Sequence, residues 1–249
     1  MELNHRYQTS LRDGRFSTCP LVVISFWKFT FLIIFSFLMS NCSEQKFEPL
    51  FLEDGPPAGW YIRAWDDISN PALNDPVWKV KDGVLFGGVP RGSWLISERE
   101  YGDFIIEFEF KLGERGNSGF AIRAPLYGDP AFDGIELQMA DMRYNPEALD
   151  SEITGGLYRA VAPDKQVYRP LEWNHYHIRC EGANIFVRLN GENILDVNLD
   201  EETSTVLRHD GTTALPLRDR PRRGHIGFQE LSREEKYVQI RNAQLKVLD

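Results

Sequence analysis

Two short stretches hold polar side chains where apolar ones are expected. Residues 116–123 read GNSGFAIR and residues 134–141 read GIELQMAD. Taken as strands, each sorts its residues by parity. Phe120 and Ile122 face one way, Ala121 and Arg123 the other; Ile135, Leu137 and Met139 oppose Glu136, Gln138 and Ala140. If the apolar sets fill a core, Arg123, Glu136 and Gln138 stand on an outer sheet face. That face is either wetted, with an ion pair of little energetic value, or the floor of a cleft. Neighbouring segments rich in Gly, Pro and aromatics favour the cleft. The spacing Glu136-x-Gln138-x-x-Asp141 adds a second acid, which a bulge at Ala140 would turn onto the same face. Retaining glycosidases on sandwich folds carry acids at this kind of spacing on one strand, about 5 Å apart across the cleft. Here the middle position is an amide, so the pattern points to a location and not to that mechanism.

Other chemistries find less support. His175 and His177 share a strand face with Arg179, and His209 and His225 lie in or beside a long connection. None has a Cys or acidic partner at ligand spacing. There is no Gly-x-Ser-x-Gly elbow, phosphate loop or dinucleotide fingerprint. A net charge of −9 argues against a nucleic-acid partner.

The elements that must position these residues are strands. With 42% hydrophobic and 26% charged residues, the chain can bury a full core and is not a disordered sequence. DFIIEFEF (103–110) alternates strictly, with Phe104, Ile106, Phe108 and Phe110 on one face. Asp82-Gly83 and Asn190-Gly191 are hairpin signals, and a turn at Glu181–Ala183 joins two further strands. Roughly ten to twelve short strands with turn signals every 8–12 residues predict an all-β, antiparallel two-sheet sandwich. The connections 142–172 and 198–223 are long enough to serve function.

The N-terminus is of a different composition. Arg6, Arg12 and Arg15 precede an apolar stretch broken only by Lys28, and the run from Phe29 to Ser40 has the length of a signal h-region, too short for a comfortable membrane span of about 20 residues. It ends in LMSNC and turns polar. The expectation is a signal of the bacterial lipoprotein kind over residues 1–42, with Cys42 lipidated, residues 43–58 as a tether and residues 59–249 as the sandwich. The chain would then be exported to the cell envelope and held to a bilayer by its anchor. Cys180 would be left as a buried strand thiol with no disulfide partner.

Nine segments in order complete the reading: GW at 59–60, VWKVKDGVL at 77–85, YGDFIIEFEFK at 101–111, GNSGFAIR at 116–123, GIELQMAD at 134–141, TGGLY at 154–158, EWNHYHIRCEGANIFVRLNG at 172–191, RGHIGFQ at 223–229 and IRNAQLKVL at 240–248. Together they resemble the 3-keto-disaccharide hydrolase domain family over about 190 residues. The resemblance implies a concanavalin-like jelly roll and action on glycosides already oxidised to a ketone at C3. Such a ketone acidifies the C2 hydrogen, and the enolate formed can expel the C1 substituent. The reaction needs a base near C2, a group for the C3 oxyanion and proton help for the leaving group. On this reading Glu136 or Asp141 is the base, and Arg123 or a divalent metal is the electrophile. Gln138, Tyr158 and Gln229 bind hydroxyls. Members of the family often follow the late Gln with Asp-His-Gly, whereas this chain has Gln229-Glu230-Leu231-Ser232, so a His role would pass to His225 or His209. Two alternatives stay open: a carbohydrate-binding module with Trp94, Trp173 and Tyr158 as platforms, and an ordinary retaining glycosidase.

Overall fold

Period-two alternation governs the molecule. The computed structural model describes residues 46–234 and 237–249. In chain order the strands are β1 (Glu48–Pro49), β2 (Trp60–Ala64), β3 (Val77–Lys81), β4 (Val84–Val89), β5 (Ser93–Tyr101), β6 (Phe104–Lys111), β7 (Asn117–Ala124), β8 (Ile135–Ala140), β9 (Asn174–Glu181), β10 (Asn184–Leu189), β11 (Glu192–Asn198), β12 (Val206–Leu207), β13 (Thr213–Ala214), β14 (Gly224–Glu230) and β15 (Gln239–Val247). One short helix, α1 (Pro130–Asp133), lies between β7 and β8.

Two antiparallel sheets form a sandwich, the fold that the alternation predicts. The larger runs β11-β10-β9-β6-β15-β4-β3, with β1 also on β15; the smaller runs β2-β5-β14-β7-β8; β12 and β13 form a separate pair. The inner faces interlock through aromatic rings. Phe108 of β6 lies 5.2 Å from Phe228 of β14 and 5.4 Å from Phe120 of β7, centroid to centroid. Phe104, Ile106, Phe108, Ile122, Ile135, Leu137, Ile226 and Phe228 are all buried, as their parity requires. Each such side chain contributes about 1.5–3 kcal/mol on leaving water. Cys180 is buried and free, and burial pushes its thiol up to about 12. The hairpin signals also hold. Asp82-Gly83 and Asn190-Gly191 connect paired strands with positive φ at both residues of each turn, the geometry that favours these dipeptides.

Two departures from the sequence reading matter. Residues 46–58 do not form a tether. Glu48 and Pro49 pair with β15, Gly55 bridges Val80, and the Phe51 ring packs 5.2 Å from Trp60 and 6.1 Å from Phe228. Leu50 and Phe51 cover core that would otherwise be wet, so the sandwich begins well before Gly59. The second departure is in β7. Its pairing with β14 shifts register, so that His225 meets Ala124 but Gly227 meets Ala121. Ile122 and Arg123 therefore oppose Ile226 alone, and Arg123 takes a left-handed backbone at φ 54°. A bulge of this kind breaks the parity rule for every residue beyond it.

The smaller sheet's outer face is not wetted. All of β7 and β8 is buried on both sides. The free edge of β8 is closed by residues 154–158: Gln138 N–H donates to Gly156 O (2.9 Å), Gly155 N–H to Gln138 O (3.1 Å) and Tyr158 N–H to Glu136 O (2.9 Å).

Candidate active site

A cavity of about 560 Å³ lies on this outer face. Its floor includes Asn117 of β7, Glu136, Gln138 and Ala140 of β8, and Gln229 of β14. Tyr144, Glu152, Tyr158 and Arg159 come from the 142–172 connection and His209 from 198–223, so both long connections form the roof. Bonds tie that roof together. Arg159 pairs with Glu152 and donates to Leu207 O at 2.9 Å; the Tyr158 hydroxyl and His209 Nε2 are 3.3 Å apart; Arg208 grips Asp133 of α1.

Glu136 is the most unusual group in it. The side chain is buried, 3% exposed, and its carboxyl bends over Gly119 of β7, where a Cβ would collide with Oε1. The bay exists because position 119 has no side chain. Oε1 meets no hydrogen-bond donor. Burial drives the Glu136 pKa well above the carboxylate range, and the charge of Asp129 adds to it. Among the described residues no cation opposes these effects, so the protonated form is favoured.

Asp129 also lines the cavity and was not found by sequence reasoning. Its Oδ1 caps α1 by accepting from Ala131 N–H at 3.0 Å, and its own N–H donates to Asp133 at 3.0 Å. Burial pushes its carboxyl up to about 7, against the pull of the Ala131 N–H and with help from the Asp133 charge. A signal was present: Asp followed by Pro is a cap-and-first-turn signature, in the loop between the two quoted stretches.

The other titratable groups sort by place. Burial and then the charge of Glu136 raise the Tyr158 phenol, so it stays protonated. Burial and the Arg159 charge lower His209, leaving a neutral imidazole. At the far end, beside Asn117, Arg91 donates to the Tyr144 hydroxyl at 3.2 Å and Arg233 lies 4.5 Å over its ring. There burial raises the Tyr144 phenol, but hydrogen bonds with Asn117 and Arg91 outweigh it and hold the group below its usual range.

Of the residues singled out from sequence, Glu136, Gln138, Tyr158 and Gln229 meet in this cavity. Arg123, Asp141, Trp173 and Trp94 do not. Arg123, displaced by the β7 bulge, is wholly buried and donates to Gly102 O (2.8 Å), Gly182 O (2.7 Å) and Asp103 (3.0 Å). Its guanidinium is spent on the turns that end β5 and β9. Asp141 keeps the inner parity because β7 and β8 pair without a register shift and its N–H continues the ladder to Gly116 O. Its carboxylate takes three hydrogen bonds from Arg143 and one from Tyr168. Burial raises it, but the Arg143 bonds win and hold it below the usual range. Trp173 stands at the larger sheet, its ring 4.1 Å beneath Arg241. Trp94 is fully buried and donates to Trp65 O; Trp65 itself lines the cavity, as do Tyr144 and Tyr158.

His209 is in the cavity; His225 is buried elsewhere against Ser97 O. Glu230, which stands after the late Gln, accepts from Ser232 N–H and Val238 N–H and so clamps the β14–β15 connection. Cys42 lies outside the described residues. Among the described residues no group of three or more His, Cys, Asp and Glu side chains is arranged to hold a metal ion. The pocket acids do not fit a divalent electrophile.

A roofed, acid-lined cavity on the outer face of an antiparallel sandwich defines a domain built to enclose a polar small molecule. Residues 46–246 match the family described as a 3-keto-alpha-glucoside-1,2-lyase-like domain. The chain belongs to that family, a glycosyl hydrolase-like group. Two solved structures from Parabacteroides distasonis ATCC 8503, both described as candidate glycosyl hydrolases, are similar. One is 26% identical with a TM-score of 0.65, covering 82% of this chain and all of that one. The other is 24% identical with a TM-score of 0.57, covering 78% of this chain and 91% of that one. No curated protein matches the chain.

Proposed function

We propose that this protein cleaves glycosides whose sugar carries a ketone at C3, by removal of the C2 hydrogen and loss of the C1 substituent. The observation that carries the reading is Glu136: a buried carboxyl with an unpartnered oxygen, facing a roofed cavity. A lectin-like surface has no use for such a costly group. Family membership supports the substrate class. The reaction needs proton transfer and charge stabilisation beside a carbonyl, with no pair of ionised carboxylates. Asp129 and Glu136 offer the proton-transfer groups; Gln138, Gln229 and Tyr158 offer hydrogen bonds to hydroxyls.

The test is release of the leaving group from a C3-oxidised glucoside and from its unoxidised parent. Cleavage of the oxidised compound alone is expected. Equal cleavage of both would favour an ordinary retaining glycosidase. Binding without cleavage of either would make the domain a carbohydrate-binding module.

We further propose that the protein is exported and lipid-anchored at Cys42. The apolar run ending at LMSNC supports this. Cys42→Ser should abolish lipid labelling and alter fractionation; a variant that fractionates and labels like wild type would remove the anchor from the account.

A further inference from the structure

Two carboxyl groups in one cavity cannot both ionise cheaply, and the pair divides its protons according to its surroundings. The surroundings of Asp129 and Glu136 are unequal. Asp129 holds a backbone donor, Ala131 N–H, in the cap of α1, and feels the attraction of Arg208. Glu136 has neither, and its Oε1 meets no donor. The negative charge therefore belongs on Asp129 and the proton on Glu136. A protonated carboxyl buried in this way needs an acceptor from the ligand. A ketone oxygen is an acceptor only, so it satisfies an O–H without leaving a donor of its own unpaired.

We infer that Asp129 is the base that takes the C2 hydrogen and that Glu136 donates a hydrogen bond to the C3 oxygen. The inference rests on the 3-keto reading and assigns its two roles. The Asp129 carboxylate accepts the C2 proton, and the C–H electron pair forms the C2=C3 bond while charge moves to the C3 oxygen, held by the Glu136 O–H. The enolate then reforms C3=O, its electrons form C1=C2, and the C1–O bond breaks. The leaving oxygen recovers the proton from Asp129. The products are the 1,2-unsaturated 3-keto sugar and the free alcohol; no oxidant or co-reactant enters. Tyr158 lines the same cavity as both acids.

Two conservative variants test the division. Asp129→Asn keeps an oxygen to cap α1 but cannot take a proton. Its rate on a 3-keto-glucoside should fall by about 10² to 10⁴. Glu136→Gln keeps an N–H donor of similar shape, so its loss should be smaller than that of Asp129→Asn, whereas Glu136→Ala should cost about 10² to 10³. Melting curves establish that each variant folds, and Asp129→Ala supplemented with formate gives a second reading, since an added base should restore part of the rate. The opposite order, with Glu136→Gln at background and Asp129→Asn still active, would overturn the inference while leaving the 3-keto reading standing. Near-wild-type rates in both variants would also overturn it. A wild-type protein unable to cleave the 3-keto compound would remove the reading itself and the inference with it.

Discussion

A residue in this protein acts according to the face on which the backbone leaves it. Arg123 is the clearest case. It is fully buried and bound to two carbonyls and a carboxylate. Arg123→Ala removes the Arg123 donors from Gly102 O and Gly182 O and leaves Asp103 with only the Gly182 N–H. Leaving buried acceptors unmatched costs about 1–3 kcal/mol each, and for a domain of this size each kcal/mol shifts Tm by about 2–4 °C. A Tm lowered by about 6 °C or more is expected, with the rate per folded molecule little changed. A variant that melts like wild type yet loses its rate would place Arg123 in the chemistry. The sequence misplaced Arg123 because parity counts only along an unbroken ladder, and the bulge opposite Ile226 is set by pairing with a strand about a hundred residues away. The reverse error befell Asp141: a bulge was expected at Ala140, and the ladder there is regular. Glu136 and Gln138 were legible because β8 is short, regular and strongly alternating. Asp129 was passed over although its dipeptide with Pro130 marks a helix start.

At the scale of elements, the site depends on β7 and β8 acting as one surface. Gly119 makes room for the Glu136 carboxyl, so Gly119→Ala forces that side chain out of its bay. The variant should lose activity on the scale of a Glu136 substitution although residue 119 offers no functional group. Kinetics beside a melting curve would check this; full activity in Gly119→Ala would mean that the bent carboxyl is not the working conformation. The strands themselves were largely readable. Alternation placed the core, and Asp-Gly and Asn-Gly placed two hairpins. Residues 46–58 were not readable, because β1 is two residues long and its order comes from Leu50 and Phe51 packing on distant rings. The long connections were readable as functional and as the roof of a pocket, but the bonds that tie that roof were not, since the Tyr158–His209 and Arg159–Leu207 contacts join segments about fifty residues apart.

For the whole molecule, buried acids set the response to pH. Asp129 and Glu230 are each raised to about 7, and Glu136 is raised as well. Burial is the main cause in all three. Their unfolded values lie near 3.9 and 4.3. Between those values and about 7 the folded chain holds more protons than the unfolded one, so stability falls as pH rises through that window. His209, with its pKa lowered by burial, works the other way below about 6.5, but it is one partly exposed group against three buried carboxyls. Asp141, Glu107 and Glu109 are held low and give their stability above about pH 4. Maximum stability is therefore expected on the mildly acid side, with Tm declining from about pH 5 to 7. Glu230→Gln should flatten the decline; a Tm that rises across the interval would contradict this account of the buried acids.

The most direct test of the central claim follows the hydrogen on C2. A 3-keto-glucoside is cleaved by the wild-type protein in D₂O and the products are read by NMR. If the cavity removes the C2 hydrogen, that hydrogen is lost to solvent: it is absent from the unsaturated sugar, and deuterium stands in its place in any hydrated product. Cleavage that leaves the original hydrogen on C2 would contradict the account.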